Sequence, residues 1–515
     1  MGGGHFGDPL VVRGHDDERV ADPTAEAMNN RQTASRCMLI QVFFRCVLIA
    51  TMASLAPLSA AAKTVESGDS DAARDALSEA PQGDPTVLPA DPLRLLDAEP
   101  GNFRRVVGQL RPGDWLRLAP GEYTGGLQLH RLRGTAENPI VISGPSAGDP
   151  AVFVGRSGAN VISLLDSAYV VIRHLTLDGR GRNVSGVVAE GHGTYAHDIV
   201  IEHLRIRNFD ANLGNVGITT RVPAWNWVIR HNDIRDVGTG LYLGHSNGGA
   251  PFIGGLIENN FIAETLGYNA QIKHQHVRDQ LPGMPTEPRE TLVRYNVFSK
   301  AEGGRSDAHA RPNLLLGHFP PEGPGSSDRY LVYGNLFHEN PHERLFQGEG
   351  NLAIYNNLFL NRGGDGLIVM RHNHVPKDVQ ILRNTVVAEG FGITIADPDP
   401  AYRQVVAGNA VFAAEPLRLP RHISSNDNFT ADRAAAITNL SNPDAGLADL
   451  NLYPLAHALQ KETPIAFGDD LPGLEDDYNG RPRQEPTWGA YGSGHRTNPG
   501  RRGGVGPNVP GCAFC

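Results

Sequence analysis

The residue best placed for acid–base chemistry in this chain is Lys273, and alignment of the short apolar runs shows why. The runs are Gly186-Val-Val-Ala-Glu190, Gly217-Ile-Thr-Thr-Arg221, Gly240-Leu-Tyr-Leu-Gly244, Asn269-Ala-Gln-Ile-Lys273, Asn313-Leu-Leu-Leu-Gly317, Arg344-Leu-Phe-Gln-Gly348, Gly366-Leu-Ile-Val-Met370 and Gly392-Ile-Thr-Ile-Ala396. Their second and fourth positions are nearly all apolar, so strand alternation turns these inward and the third and fifth positions outward. The outward columns then hold Tyr242 and Gln271, and beside them Glu190, Arg221 and Lys273. Gly244 and Gly317 flank Lys273, which predicts a cleft with an ammonium at its floor. The residues that follow are His245, His274, His318, Glu349 and Arg371, with His372 and His374 close in sequence. A band of imidazoles and cations is thus expected across about five successive repeats.

A cationic groove on a rigid flank suits an extended polyanion, most simply a uronate-containing or sulfated glycan. The chemistry that fits is β-elimination. The proton beside a uronate carboxylate becomes acidic only when the carboxylate charge is offset; a base then removes it, and an acid protonates the leaving oxygen. Lys273 is the expected base, Arg371 or Arg221 the group that offsets the carboxylate, and His318, His274 or Tyr242 the proton donor. Tyr242, His245, Gln271, His274, Glu349, His372 and Arg221 are expected to bind substrate. Imidazoles can also hold metals, but no ligand set is assigned. Two other readings use the same groove: a non-catalytic carbohydrate-binding surface protein, and a C5-epimerase that returns the proton to the opposite face. The paired aspartates of inverting hydrolysis are missing from the outward columns.

These residues must be positioned by a repeat. The phrase aliphatic-x-x-Asn-x-apolar occurs at Asn232, Asn260, Asn296, Asn335, Asn357, Asn384 and Asn409, with Leu175 and Leu204 in the same slot, at steps of 22 to 39 residues. A repeat of this length marks a solenoid. The runs are short and β-branched, and 60 glycines and 37 prolines among 515 residues supply turns. The reading is an all-β, right-handed, single-stranded parallel β-helix with three strands per coil. Loops 275–291 and 318–329 should project from it. Phe103, Val106, Val107 and Leu110 have helical spacing and predict an N-terminal capping helix. The asparagines are expected to take the left-handed bend between strands and to hydrogen-bond from coil to coil.

The flanking segments read differently. Residues 1–62 hold a basic stretch, an apolar run and Ser59-Ala60-Ala61-Ala62, the grammar of a leader with a secretion signal. Residues 63–95 read as a flexible linker, 96–450 as the β-helix, 451–492 as a C-terminal cap and 493–515 as a disordered tail. The expected product is secreted or periplasmic, without stable membrane insertion once the signal is cut, and a monomer. The net charge of −10 weighs against nucleic acid as a partner.

Several stretches resemble exported right-handed β-helix proteins, most nearly the chondroitinase-B and alginate lyase family. Pro120-Gly-Glu-Tyr-Thr-Gly125 and Gly134-Thr-Ala-Glu-Asn-Pro-Ile140 look like that family's first coils. Gln271-Ile-Lys273 lies where it places acidic residues and a lysine base, and Leu316-Gly-His318 where it has arginine-histidine. The resemblance implies a polysaccharide lyase acting on an acidic polysaccharide, with Lys273 and His318 carried over. Gln271 stands where the family has a calcium-binding glutamate, which counts against Ca2+, and Gly317 replaces the arginine. No cofactor is therefore assigned.

Overall fold

The computed structural model describes residues 91–190, 195–465, 467, 471–492 and 497–500. The expected leader, the linker up to residue 90 and most of the tail lie outside the described residues. Three long sheets dominate, and every pairing within them is parallel. Successive strands visit the three sheets in turn, so each coil contributes one strand to each. This is the right-handed parallel β-helix. The chain enters the first sheet at Arg94–Ala98, which pairs with Asp114–Leu118. Arg94 and Leu95, expected within the linker, are therefore already in the sheet.

The core is the inside of the coil. Ile142, Ile172, Ile201, Ile229, Ile257 and Val293 point into it from the first sheet, and Leu164, Ile218, Leu241, Leu314 and Phe346 from the second, all at 1% exposure or less. The helix Phe103–Val107 buries Phe103, Val106 and Val107, with the Phe103 ring edge-on to Tyr123 at 5.2 Å and to Phe153 at 5.6 Å. It covers apolar side chains at the start of the described coils.

The asparagines form a continuous ladder through the corner between the first and third sheets. Asn232 Nδ2 donates to Asn260 Oδ1 (2.9 Å), and the same bond runs on through Asn296, Asn335, Asn357, Asn384 and Asn409. An eighth member, Asn428, accepts from Asn409 at 2.8 Å; Ser425 stands where the repeat phrase has an aliphatic residue, which hides it in sequence. The left-handed residue is not the ladder asparagine but the one before it: His231, Asn259, Tyr295, Asn356 and Arg383 have φ of 50–58°, and Gly334 and Gly408 serve the same purpose. The bend sits one residue earlier than expected because the ladder amide must point inward, where it reaches both backbone and neighbour.

The segment after 450 lies along the outside of the coils. Leu452, Tyr453, Leu459, Tyr478 and Tyr491 pack on Leu336, Leu358, Leu360 and Phe412 of the third sheet. Phe467, Leu471 and Leu474 pack on Leu331, Tyr333, Tyr355 and Leu382 of the first. Arg483, in the phrase Asp477-Tyr-Asn-Gly-Arg-Pro-Arg483, ties this wrap down by donating to Asn356 Oδ1 (2.9 Å) and to the carbonyls of Ala490 and Tyr491. Neither of these packing clusters includes a residue of the second sheet's strands. That sheet carries the candidate site.

Candidate functional site

The register of the second sheet places the outward residues. Ile218 pairs with Leu241, Leu241 with Ala270, and Ala270 with Leu314. Arg221, Gly244, Lys273 and Gly317 therefore share one row, as the aligned runs imply. The next coil departs from the alignment. Phe346, not Leu345, pairs with Leu314, and Gly348 pairs with Leu316. This one-residue shift brings Glu349 rather than Gly348 into the Lys273 row. The row reads Glu190, Arg221, Gly244, Lys273, Gly317, Glu349, Met370.

The two glycines do not leave a cleft. A Cβ on Gly317 would lie 2.2 Å from His274 N and 2.7 Å from Lys273 C, so glycine is there because two backbones approach closely. Gly244 has φ of +91°, and a Cβ there would meet Ala250 O at 3.2 Å and Lys273 Cβ at 3.3 Å. Both glycines press on the segment that carries Lys273 and fix its place. Lys273 is half-buried, and its Nζ lies 5.4 Å from the ring centroid of Tyr242, the outward residue of the preceding coil. Gln271 is beside Tyr242 in register but only 4% exposed, which removes it from direct contact with a large ligand.

The histidines converge through their loops rather than through the row. His274 is half-buried, and burial, then the charges of Lys273, His276, His372 and His374, push its pKa down to about 4. Its ring is 5.5 Å from that of His276. His318 is 2% exposed; Nδ1 faces Phe319 O and Nε2 faces Val375 O at 3.2 Å. Burial also lowers its pKa. A neutral imidazole has one N–H and one lone pair, so His318 at neutral pH spends its proton on a backbone carbonyl. It is a poor proton donor to a substrate. His245 is half-buried and accepts the Asn247 amide on Nδ1 at 3.3 Å.

Glu349 explains how distant imidazoles meet. It is fully buried and accepts hydrogen bonds from Asn373 N (2.6 Å), Asn373 Nδ2 (2.9 Å) and His374 N (3.4 Å). Burial raises its pKa, against the pull of the Asn373 amide. It holds the loop 371–377 back over the earlier coils, where the His374 ring lies 4.9 Å from that of His318. Arg371 and His372 ride on this loop and are exposed. Arg371 follows Met370, which is three strand spacings from Lys273, about 14 Å. Arg221, also exposed, is two spacings away on the other side, about 10 Å. The projecting loops are braced by the buried ion pair of Arg278 with Asp328. The alignment could not reveal Asn373, His276 or this pair, because loop geometry has no period. Among the described residues, no group of three or more His, Cys, Asp or Glu side chains is placed to hold a metal.

No family model and no curated protein sequence matches the chain. By structure it is similar to an alginate lyase from Paenibacillus sp. str. FPU-7, at 15% identity and a TM-score of 0.41, covering 66% of this chain and 98% of that one. It is also similar to a lacto-N-biosidase from Eubacterium ramulus (12%, TM-score 0.44, 66% and 68% covered). A third is the A-module of a mannuronan C-5 epimerase from Azotobacter vinelandii (16%, TM-score 0.40, 62% and 85% covered). At these scores the chemistry has to be read from the residues of the site itself.

Proposed function

We propose that the chain is an exported polysaccharide lyase that acts as a monomer on an acidic, uronate-containing glycan by β-elimination. The observation that carries this reading is the pair Lys273 and Tyr242, side by side on adjacent coils of the second sheet. In the proposed step the neutral amine of Lys273 takes the C5 proton of the uronate. The freed electron pair forms the C4–C5 double bond, the C4–O bond breaks, and the leaving oxygen takes its proton from the Tyr242 hydroxyl. Tyr242 is preferred to the histidines as the acid. His274 is neutral well below pH 7, and the ring nitrogens of His318 face backbone carbonyls. Arg221 supports binding of the carboxylate from one side and Arg371 contacts the polymer farther along. One observation favours a binding protein instead: the expected acid, His318, is locked in the fold.

The test is incubation with a panel of uronate polymers. A lyase releases products with an unsaturated, ultraviolet-absorbing end; an epimerase inverts sugars without shortening the chain; a binder only retards migration. Lys273→Ala and Tyr242→Phe should each lower the rate of elimination by about 10²-fold or more, as loss of a general base or acid does. Undiminished elimination by a folded Lys273→Ala protein would sink the mechanism.

A further inference from the structure

A concavity of about 460 Å³ lies on the turns that lead from the second sheet into the first. Its floor is ordered by the β-helix. Tyr330 pairs with Leu352, Leu352 with Val379, and Val379 with Gln404. The residues one step earlier, Arg329, Asn351, Asp378 and Arg403, thus form a row across four coils, about 14 Å long. Lys377 and Tyr402 stand over this row. Tyr402 is 40% exposed, and Lys377 Nζ lies 5.2 Å from its ring centroid while donating to Pro321 O at 3.0 Å.

Two polar atoms of this wall are left unsatisfied by the protein. Gln380 points outward from its strand, is 6% exposed, and its Oε1 accepts no hydrogen bond; Arg329 Nη2 is buried and donates none. A buried polar group without a partner costs roughly 1–3 kcal/mol, so an unpaired donor and an unpaired acceptor just beneath the wall of one concavity favour a ligand that pairs with both once the side chains turn toward it. Arg329, Lys377 and Arg403 outweigh Asp378 and Glu290, the latter beside Arg329 in register, which favours an anion. The exposed tyrosine face suits the C–H face of a sugar ring.

We infer that this concavity is a non-catalytic subsite for one acidic sugar residue, stacked on Tyr402, with its carboxylate toward Arg329 and Lys377 and a hydroxyl donating to Gln380. The identity of the polymer rests on the acidic-glycan reading above, but the site does not depend on Lys273. The loop 371–377 links the two regions. It presents Arg371 and His372 at one end and Lys377 at the other.

The test is calorimetric titration of the full protein with saturated tri-uronates, with maltotriose as the neutral probe, in the Lys273→Ala background and in the same background carrying Tyr402→Ala or Lys377→Gln. A binding event that each added change weakens by about tenfold is expected from loss of a ring or cation contact. Titrations unaltered by both changes, absence of any uronate binding, or equal binding of maltotriose would overturn the inference. Since the titration reads binding and not product, failure of the elimination reading appears separately, as ultraviolet product from Lys273→Ala.

Discussion

Replacing Gly317 by alanine tests whether the glycines exist to place Lys273. The new Cβ would lie 2.2 Å from His274 N, where real Cβ atoms essentially never come within 3.0 Å. The two backbones must therefore part by roughly 0.8 Å or more. They are not free to do so, because Gly317 N donates to Ile272 O and Gln275 N to His318 O, both at 2.8 Å. Overpacking of this kind costs about 1–3 kcal/mol. The strain falls on residues 273–274, and a displacement near 1 Å at a reacting group costs about 10²-fold in rate. Urea denaturation should show the stability loss, and the ultraviolet elimination assay a fall of about 10²-fold in kcat/KM. Gly101→Ala, whose Cβ would meet nothing within 4 Å, should be silent in both. A Gly317→Ala protein as stable and as active as the parent would refute the close-approach reading.

Two further changes probe the frame and its response to pH. Asn335→Leu fills the ladder slot with the residue found at Leu175 and Leu204, but it removes the bonds that Asn296 N and Val293 O make to the Asn335 side chain, whereas Asn296 Nδ2 keeps the Ile257 and Arg294 carbonyls and Asn357 Oδ1 keeps the Asn335 backbone amide. At roughly 1–3 kcal/mol for each of these two buried groups left without its partner, about 2–6 kcal/mol should be lost in urea unfolding; a loss below 1 kcal/mol would mean the ladder is decorative. Burial pushes the pKa of His338, 1% exposed, down to about 4 from an ordinary 6.5. Between those values the unfolded chain binds the proton and the folded chain does not, so stability falls as pH drops from about 6.5 toward 4. The share of His338 is roughly 3 kcal/mol at the lower limit, and His338→Asn should flatten the fall measured by denaturation at pH 7 and pH 4.5. An equal fall in both proteins would count against it.

The fold was legible because a β-helix repeats its physics. Each corner needs a left-handed residue and each inner amide needs a partner, so the phrase around Asn232 recurs wherever a coil turns. The same regularity misled at one coil. Leu345 and Phe346 are both apolar, and Gly348 resembles the end of the neighbouring runs, so alternation alone could not choose the register in which Phe346 meets Leu314. Side-chain size was also silent on Gly244 and Gly317: an absent side chain reads as space, but at both positions the space is filled by neighbouring chain. The loops were beyond reach for a different reason. Glu349 holds Asn373 across 24 residues, and nothing periodic announces that bond.

The candidate site lies on the sheet whose strands appear in neither cluster packed by the end of the chain. In the later coils the wrap from Leu452 to Tyr491 occupies outer surface of the first and third sheets, while the second sheet keeps Arg221, Tyr242 and Lys273 on its outward rows. All three sheets share one core, so what distinguishes their faces is the outward side chains and what covers them. The second sheet is further distinguished by the loop 371–377, which a buried carboxylate, Glu349, ties back toward His318. Arg371 and Lys377 then stand at the two ends of one anchored loop. A polyanion bound along the Lys273 row and a sugar held at Tyr402 would each engage it, so loosening the Glu349 anchor should weaken both together, whereas losing Lys273 should affect only the chemistry.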